Sequence, residues 1–304
     1  TAGLACLAAG KHAMIQKPLA VTVRAGRALV EAARRGGLSL GVMENVRYAA
    51  GSRLARWALD RGDLGTLQMV AAVAIGSGAW SPDRIVAETP WRHRKLEAGG
   101  GASLDIGVHL AHRLRYLAGE VRTMTALARV FEAERVLRDP DGAVTARVAA
   151  DADDAFFALP QFASGAVGTV SFTWAGHGEP TGLPEGSALY GTRGCIKGTT
   201  LIGDDGAREA LADRFAREAS AADRERFFPR GLTDSFALAY LDWLRAIRAG
   251  GQPEMDGEEG LRDLATAFAI LESSELGGAP VAVDDVLSGA IDTYQRPIDA
   301  HYGL

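Results

Sequence analysis

The chain has 304 residues, enough to bury a sizeable core and, by length alone, to form two domains. Apolar residues make up 47% and charged residues 23%, the balance of an ordinary globular protein rather than a disordered or fibrous one. The net charge of −5 argues against nucleic acid or an anionic membrane surface as the main partner.

Residues Ala2 to Ala9 read as the last turns of a helix, which Gly10 ends. Ala13-Met14-Ile15 is a short apolar run that stops at Lys17-Pro18, the pattern of a buried strand closed by proline. From Val23 to Arg35 the period is helical. Ala25, Leu29, Ala32 and Ala33 lie along one side, with Arg24, Arg27, Arg34 and Arg35 mostly on the other. Gly36-Gly37 ends that helix, and Leu38 to Met43 reads as a second strand. Strand, helix and strand in this order imply a parallel βαβ unit.

After Asn45 the pattern changes. A helix is expected from Ser52 to Arg61 and a strand from Thr66 to Ile75. A long loop follows, with Ser81-Pro82, Pro90 and the triplet Gly99-Gly100-Gly101. A helix is expected from Ala102 to Leu117, ended by Gly119. Strand candidates then fill Val121 to Ile202, among them a hairpin of Phe156–Phe162 and Ala166–Trp174 turning at Ser164-Gly165. Two late helices, Thr233–Arg248 and Glu258–Leu276, and a short strand at Val281-Ala282-Val283 complete the chain. Successive strands with flanking helices predict an α+β domain, its open sheet covered on one face. The domain reading is therefore residues 1–50 and residues 51–304.

Asp105 and His109 are four residues apart, which on a helix places both on one face. The glycines before them let backbone approach a ligand and open the helix start to solvent. Taken alone, the pair reads equally as a carboxylate near a helix start and a satisfied core histidine. His112, three residues on, has no comparable partner in the sequence and reads as structural. Lys17 follows a strand, and in an open α/β sheet ligands gather beyond the carboxyl ends of strands. It also reads as a surface lysine beside a turn. The glycine triplet lacks the spacing of a dinucleotide fingerprint, and Gly191-Thr192-Arg193-Gly194 reads as a hairpin turn. Cys6 and Cys195 form no metal-ligand spacing and point to a reducing, cytoplasmic compartment, with any export signal ahead of Thr1 left open. No apolar run reaches the roughly 18 residues of a membrane span.

Taken together, three stretches resemble the Gfo/Idh/MocA family, named for glucose-fructose oxidoreductase and inositol dehydrogenase. They are Gln16-Lys17-Pro18-Leu19-Ala20 after Gly10-Lys11-His12, the segment Gly99 to His109, and the hairpin turn Phe162-Ala163-Ser164-Gly165-Ala166-Val167-Gly168. The resemblance implies α/β plus α+β: part of a Rossmann nucleotide-binding domain, then a GAPDH-like domain with an open, mostly antiparallel sheet. It implies an NAD- or NADP-dependent oxidoreductase acting on a secondary hydroxyl of a sugar, polyol or related small molecule. No metal is implied, and the implied assembly is a homo-dimer or homo-tetramer.

The same resemblance supplies roles. Lys17 matches the family's Glu-Lys-Pro lysine, which contacts substrate and the nicotinamide ribose. Asp105 and His109 match its Asp-x-x-x-His motif, with His109 as general base and Asp105 orienting the substrate or that imidazole. Trp91-Arg92 is similar to a Trp-Arg pair near the nicotinamide pocket, and Arg92 also joins the substrate set. Gln16, Pro18 and Asn45 join the cofactor set, and Asn45 and Arg47 are expected at the domain junction. Two departures stand out. Gln16 replaces the family's glutamate, and no Gly-x-Gly-x-x-Gly turn is present. The expectation is an N-terminally truncated enzyme whose cofactor-holding strands lie outside this chain, so that the chain alone binds cofactor poorly. Two other readings stand beside it: an NAD-dependent glycosidase that oxidises its substrate transiently, and a non-catalytic binding or regulatory member.

Overall fold

A computed structural model describes residues 1–76 and 89–304, apart from the side chains of residues 184 and 185. Ser81-Pro82 of the expected loop lies outside the described residues. The chain opens with α1 (Ala2–Ala8), β1 (Ala13–Gln16), α2 (Val23–Gly36) and β2 (Leu40–Met43). Thr22 caps α2 by accepting from the Ala25 amide, and Gly37 ends it with φ 63°, a left-handed turn that costs glycine little. β1 and β2 pair in parallel, from Ala13 against Leu40 to Gln16 against Met43. The expected βαβ unit is therefore present.

Two helices, α3 (Asn45–Tyr48) and α4 (Ala50–Asp60), lead to β3 (Leu67–Ile75). After a 3-10 turn at Pro90–His93 come α5 (Lys95–Ala98), α6 (Ala102–Asp105) and α7 (Gly107–Ala118). The single helix expected from Ala102 to Leu117 is broken at Ile106 (φ −100°, ψ −39°), which is both the end of α6 and the start of α7. Asp105 and His109 thus belong to two helices rather than one.

The strands that follow are β4 (Val121–Arg129), β5 (Glu134–Arg138), β6 (Val144–Ala149), β7 (Ala155–Phe162), β8 (Val167–Thr173), β9 (Thr181–Gly191), β10 (Gly194–Lys197), β11 (Thr200–Gly203) and β12 (Arg208–Ala210). Helices α8 (Leu211–Glu218) and α9 (Ala221–Phe227) come next. The chain ends with α10 (Ser235–Ala249), α11 (Gly257–Glu275), β13 (Val281–Ala282), α12 (Val283–Ser288) and α13 (Arg296–Tyr302). The sequence reading had not marked α8 and α9.

Among the described residues, nine strands form one sheet in the order β12-β11-β10-β9-β3-β8-β7-β4-β13. Among the described residues, only β3 and β8 of its neighbouring strands pair in parallel. The other ladders are antiparallel, including the two expected hairpins β7–β8 and β9–β10. β5 and β6 form a separate ribbon.

Helix α11 explains how the two sheets share one core. It is buried along most of its length and packs against β4 on one side and α2 on the other. Its apolar residues Leu261, Leu264, Phe268 and Leu271 are nearly or wholly shielded from water. Asp256 caps its start, and the same residue bridges to Gly41 of β2.

Among the described residues, the opposite face of the large sheet carries no helix of this kind. Leu127 pairs with Phe157, and Phe157 pairs with Ser171. Val167 pairs with Met69. Because side chains alternate along a strand, Leu127, Phe157, Leu159, Val167 and Met69 all point to that same face. Each is 41–55% exposed.

Candidate active site

The site begins where β1 and β2 end. Gln16 and Met43 are the last paired residues, so Lys17 and Glu44 follow side by side at the carboxyl edge of the two parallel strands. Each takes hold of one of the two residues expected from the Asp-x-x-x-His pattern. The Lys17 ammonium donates to Asp105 twice, to Oδ1 and to the backbone carbonyl, both at 2.7 Å. Glu44 Oε1 is 2.7 Å from His109 Nδ1. Asp105 and His109 are therefore held separately.

Asp105 has a second cation. Arg92 Nη1 donates to its Oδ2, so one carboxylate is clamped between Lys17 and Arg92. The Arg92 guanidinium also lies over the Trp91 ring, 4.9 Å from its centroid. Trp91 itself is about half exposed. These groups surround a cleft of about 520 Å³ lined by Gln16, Lys17, Pro18, Trp91, Arg92 and Asp105, with Val21, Glu97, Gly100 and Leu104 among its walls. The volume is in the range of small-molecule sites. Two stretches far apart in sequence, residues 16–21 and 91–105, thus form one wall. Asn45 and His109 are not part of that lining; Asn45 starts α3 directly after Glu44, and the His109 side chain is 22% exposed.

The glycines do a different job from the one expected. A Cβ on Gly101 would fall 1.7 Å from the Asp153 carbonyl oxygen, and one on Gly99 would fall 2.5 Å from that of Val21. The close approach that Gly99 and Gly101 allow is to the protein's own backbone, while Gly100 lines the cleft. Nor is the start of α6 open to solvent. The buried Asp153 carboxylate accepts from the amides of Gly101 and Ser103, each at 2.8 Å, and from the Ser103 hydroxyl at 3.0 Å. The Asp153 carbonyl accepts from the Ala102 amide. Burial pushes the Asp153 carboxyl up to about 6, against the pull of those donors.

His112, left without a partner by the sequence, has one. Its Nδ1 is 2.7 Å from Asp263 of α11, which Arg115 also grips, so the pair ties α7 to α11. Arg47, expected at a domain junction, reaches Glu254 and Glu259 from α3. Glu44 and Asp153 escaped sequence reading. Glu44 carried a usable signal, since it follows an apolar strand as Lys17 does. Asp153 lies in the acidic run Asp151-Ala152-Asp153-Asp154, where nothing separates a buried carboxylate from a solvated one.

Residues 52–197 match the model of the GFO/IDH/MocA C-terminal domain. That segment, just under half of the chain, is therefore a domain of the Gfo/Idh/MocA type. The chain is 28% identical to 1,5-anhydro-D-fructose reductase of Ensifer adhaerens, over 91% of this chain and 74% of that protein. It is 29% identical to levoglucosan dehydrogenase of Pseudarthrobacter phenanthrenivorans, over 64% of this chain and 50% of that protein. Among solved structures, levoglucosan dehydrogenase in complex with NADH and L-sorbose superposes with a TM-score of 0.72 at 24% identity, covering 93% of this chain and 76% of the other. An oxidoreductase domain protein from Kribbella flavida gives 0.73, also at 24% identity, covering 92% and 77%. Those likenesses establish the fold: a Rossmann-type strand pair joined to an open, mostly antiparallel sheet. Among its described residues, no helix is long and apolar enough to cross a membrane, and no cluster of histidine, cysteine or carboxylate side chains could hold a metal ion.

Proposed function

We propose that this chain carries the chemical site of an NAD(P)-dependent oxidoreductase acting on a secondary hydroxyl of a sugar, polyol or related small molecule. The observation that carries this reading is the meeting of Lys17, Arg92 and Asp105 in one cleft at the carboxyl end of a parallel strand, with His109 held at the end of the next. Relatives named as reductases and dehydrogenases of sugars and of an inositol support it.

The residues present fit the nicotinamide end of the cofactor and not its pyrophosphate. Gln16 and Lys17 offer donors at a strand end, Pro18 and Trp91 offer apolar surface, and together they line the cleft. No glycine turn of the Gly-x-Gly-x-x-Gly kind occurs in the sequence to cradle the phosphates. When bound, the nicotinamide supplies the hydride acceptor, and the residues leave NAD and NADP as equal alternatives.

The chain's own residues do the rest. An ammonium has three N–H donors, and Asp105 occupies two of those on Lys17, so one remains for a substrate oxygen. Two cations on one carboxylate leave that cluster with a net positive charge, while Glu97 of the same cleft is paired with Arg94. That charge stabilises the alkoxide character that develops as the hydroxyl proton departs. Asp105 fixes both cations in place. His109 is the base: the O–H bond breaks and the proton moves to the imidazole.

The test is the appearance of reduced nicotinamide when the protein meets NAD+ or NADP+ and a panel of cyclitols, aldoses and anhydro sugars. Cofactor binding with no oxidation of any of them would favour a regulatory role. Glycoside cleavage with no net reduced nicotinamide would move the reading to transient oxidation. Lys17→Met is expected to lower kcat by about 10²- to 10³-fold, because it removes the donor aimed at the developing charge. An unchanged kcat would take Lys17 out of the reaction.

We also propose that the exposed apolar sheet face is where copies of the chain associate. Leu159→Glu places a charge in the middle of that face at little cost to the isolated fold, within about 0.5 kcal/mol. Light scattering should show the wild-type dimer or tetramer and a monomeric variant; a variant of unchanged mass would put the contact elsewhere.

A further inference from the structure

We propose that Glu44 is the positioning residue that sets the tautomer of His109 and leaves its Nε2 as the atom that accepts the proton. The inference rests on the reading of His109 as base. It is argued from one close contact, that of His109 Nδ1 with Glu44 Oε1.

The Glu44 side chain is 1% exposed. Its Oε1 accepts from the Val46 amide at 3.0 Å and lies 2.7 Å from His109 Nδ1. An ionised carboxylate has no proton to give, so Nδ1 must carry the hydrogen and donate it. A neutral imidazole has a single N–H, and the lone pair therefore resides on Nε2. That nitrogen makes no hydrogen bond among the described residues, on a ring that is 22% exposed. It is the one atom of the pair able to take a hydroxyl proton.

Asp105 cannot do this work, although it is only four residues before His109. Both its carboxylate oxygens are engaged, one by Lys17 and one by Arg92. Glu44 keeps a reserve. Its Oε2 is buried without a hydrogen-bond partner among the described residues, so part of the carboxylate's charge is uncompensated while the ring is neutral. Proton uptake at Nε2 places an imidazolium against that charge, and the carboxylate stabilises it. The carboxylate–imidazole pair thus orients the ring before the reaction and receives the charge afterwards, the function second carboxylates serve beside other basic histidines.

Nitrogen-15 NMR of the imidazole rings tests this without any catalytic assay. Wild-type His109 should show the Nδ1–H form, with a lone pair on Nε2. Glu44→Gln should keep that form, because the amide oxygen still accepts. Glu44→Leu should lose it and populate the Nε2–H form. In turnover, Glu44→Leu should lower kcat by roughly 100-fold with KM little changed, and Glu44→Gln by about tenfold or less. An Nε2–H form in the wild type, or an Nδ1–H form that persists in Glu44→Leu, overturns the proposal. If Glu44→Leu does not fold, the wild-type tautomer alone decides. Absence of oxidoreductase activity would leave the tautomer result intact, so the two readings fail separately.

Discussion

Replacing His109 with alanine should lower kcat by about 10²- to 10⁴-fold, the span that a positioned general base contributes. The ring is not part of the cleft wall formed by Gln16, Lys17, Pro18, Trp91 and Arg92, so those contacts survive its removal. Cofactor affinity should therefore change little. The combination is informative because a collapse of the site would damage both. Steady-state rates with the best substrate, alongside a titration of reduced cofactor by fluorescence, separate the two quantities. Turnover close to wild type would remove His109 from the mechanism and leave Lys17 as the main acid–base candidate. A large loss in affinity would instead make the ring a structural support. Truncation also leaves Glu44 with a buried carboxylate and no imidazole, and that cost appears in stability rather than in binding.

Much of this site was legible because the signals were local. Lys17 follows a four-residue strand and precedes a proline, and that alone places it at a sheet edge. Parallel pairing of β1 and β2 follows from the helix between them. The spacing of Asp105 and His109 was also visible, but its meaning was not. A four-residue interval promises a shared helix face, and the break at Ile106 cancels the promise. Where the two side chains go is decided by partners 88 and 65 residues away, Lys17 and Glu44. Such pairings carry no periodic trace. The glycine triplet misled for a related reason: glycine reports that something comes close, not what does. Here the close neighbours are Val21 and Asp153. The helices α8 and α9 were missed because neither exceeds eight residues, too short for a period to declare itself.

Asp153 is where the largest loss of stability is expected. Its carboxylate and carbonyl together receive the amides of Gly101, Ala102 and Ser103 and the Ser103 hydroxyl. Those residues begin the short helix that ends in Asp105. Asp153→Ala keeps the carbonyl but strips the side-chain acceptor from three buried donors. Each unmade bond costs of order 1–3 kcal/mol, partly relieved by water entering the space, so a net loss of roughly 2–5 kcal/mol is expected. With Gly101 released, Asp105 is less firmly presented to Lys17 and Arg92, and kcat should fall with stability.

The pH dependence gives an independent signature. Burial raises the Asp153 carboxyl to about 6 in the folded chain, above the usual 3.8. Between those values the folded state holds a proton that the unfolded state has released. Stability from this group is thus greatest below about pH 4, declines as pH rises to about 6, and is level beyond. The alanine variant lacks that slope. Urea unfolding of both proteins across about pH 4 to pH 7 should give a destabilisation that is largest at the acid end and shrinks as pH rises. A difference independent of pH would show that the folded carboxyl titrates normally, and that its three donors outweigh its burial.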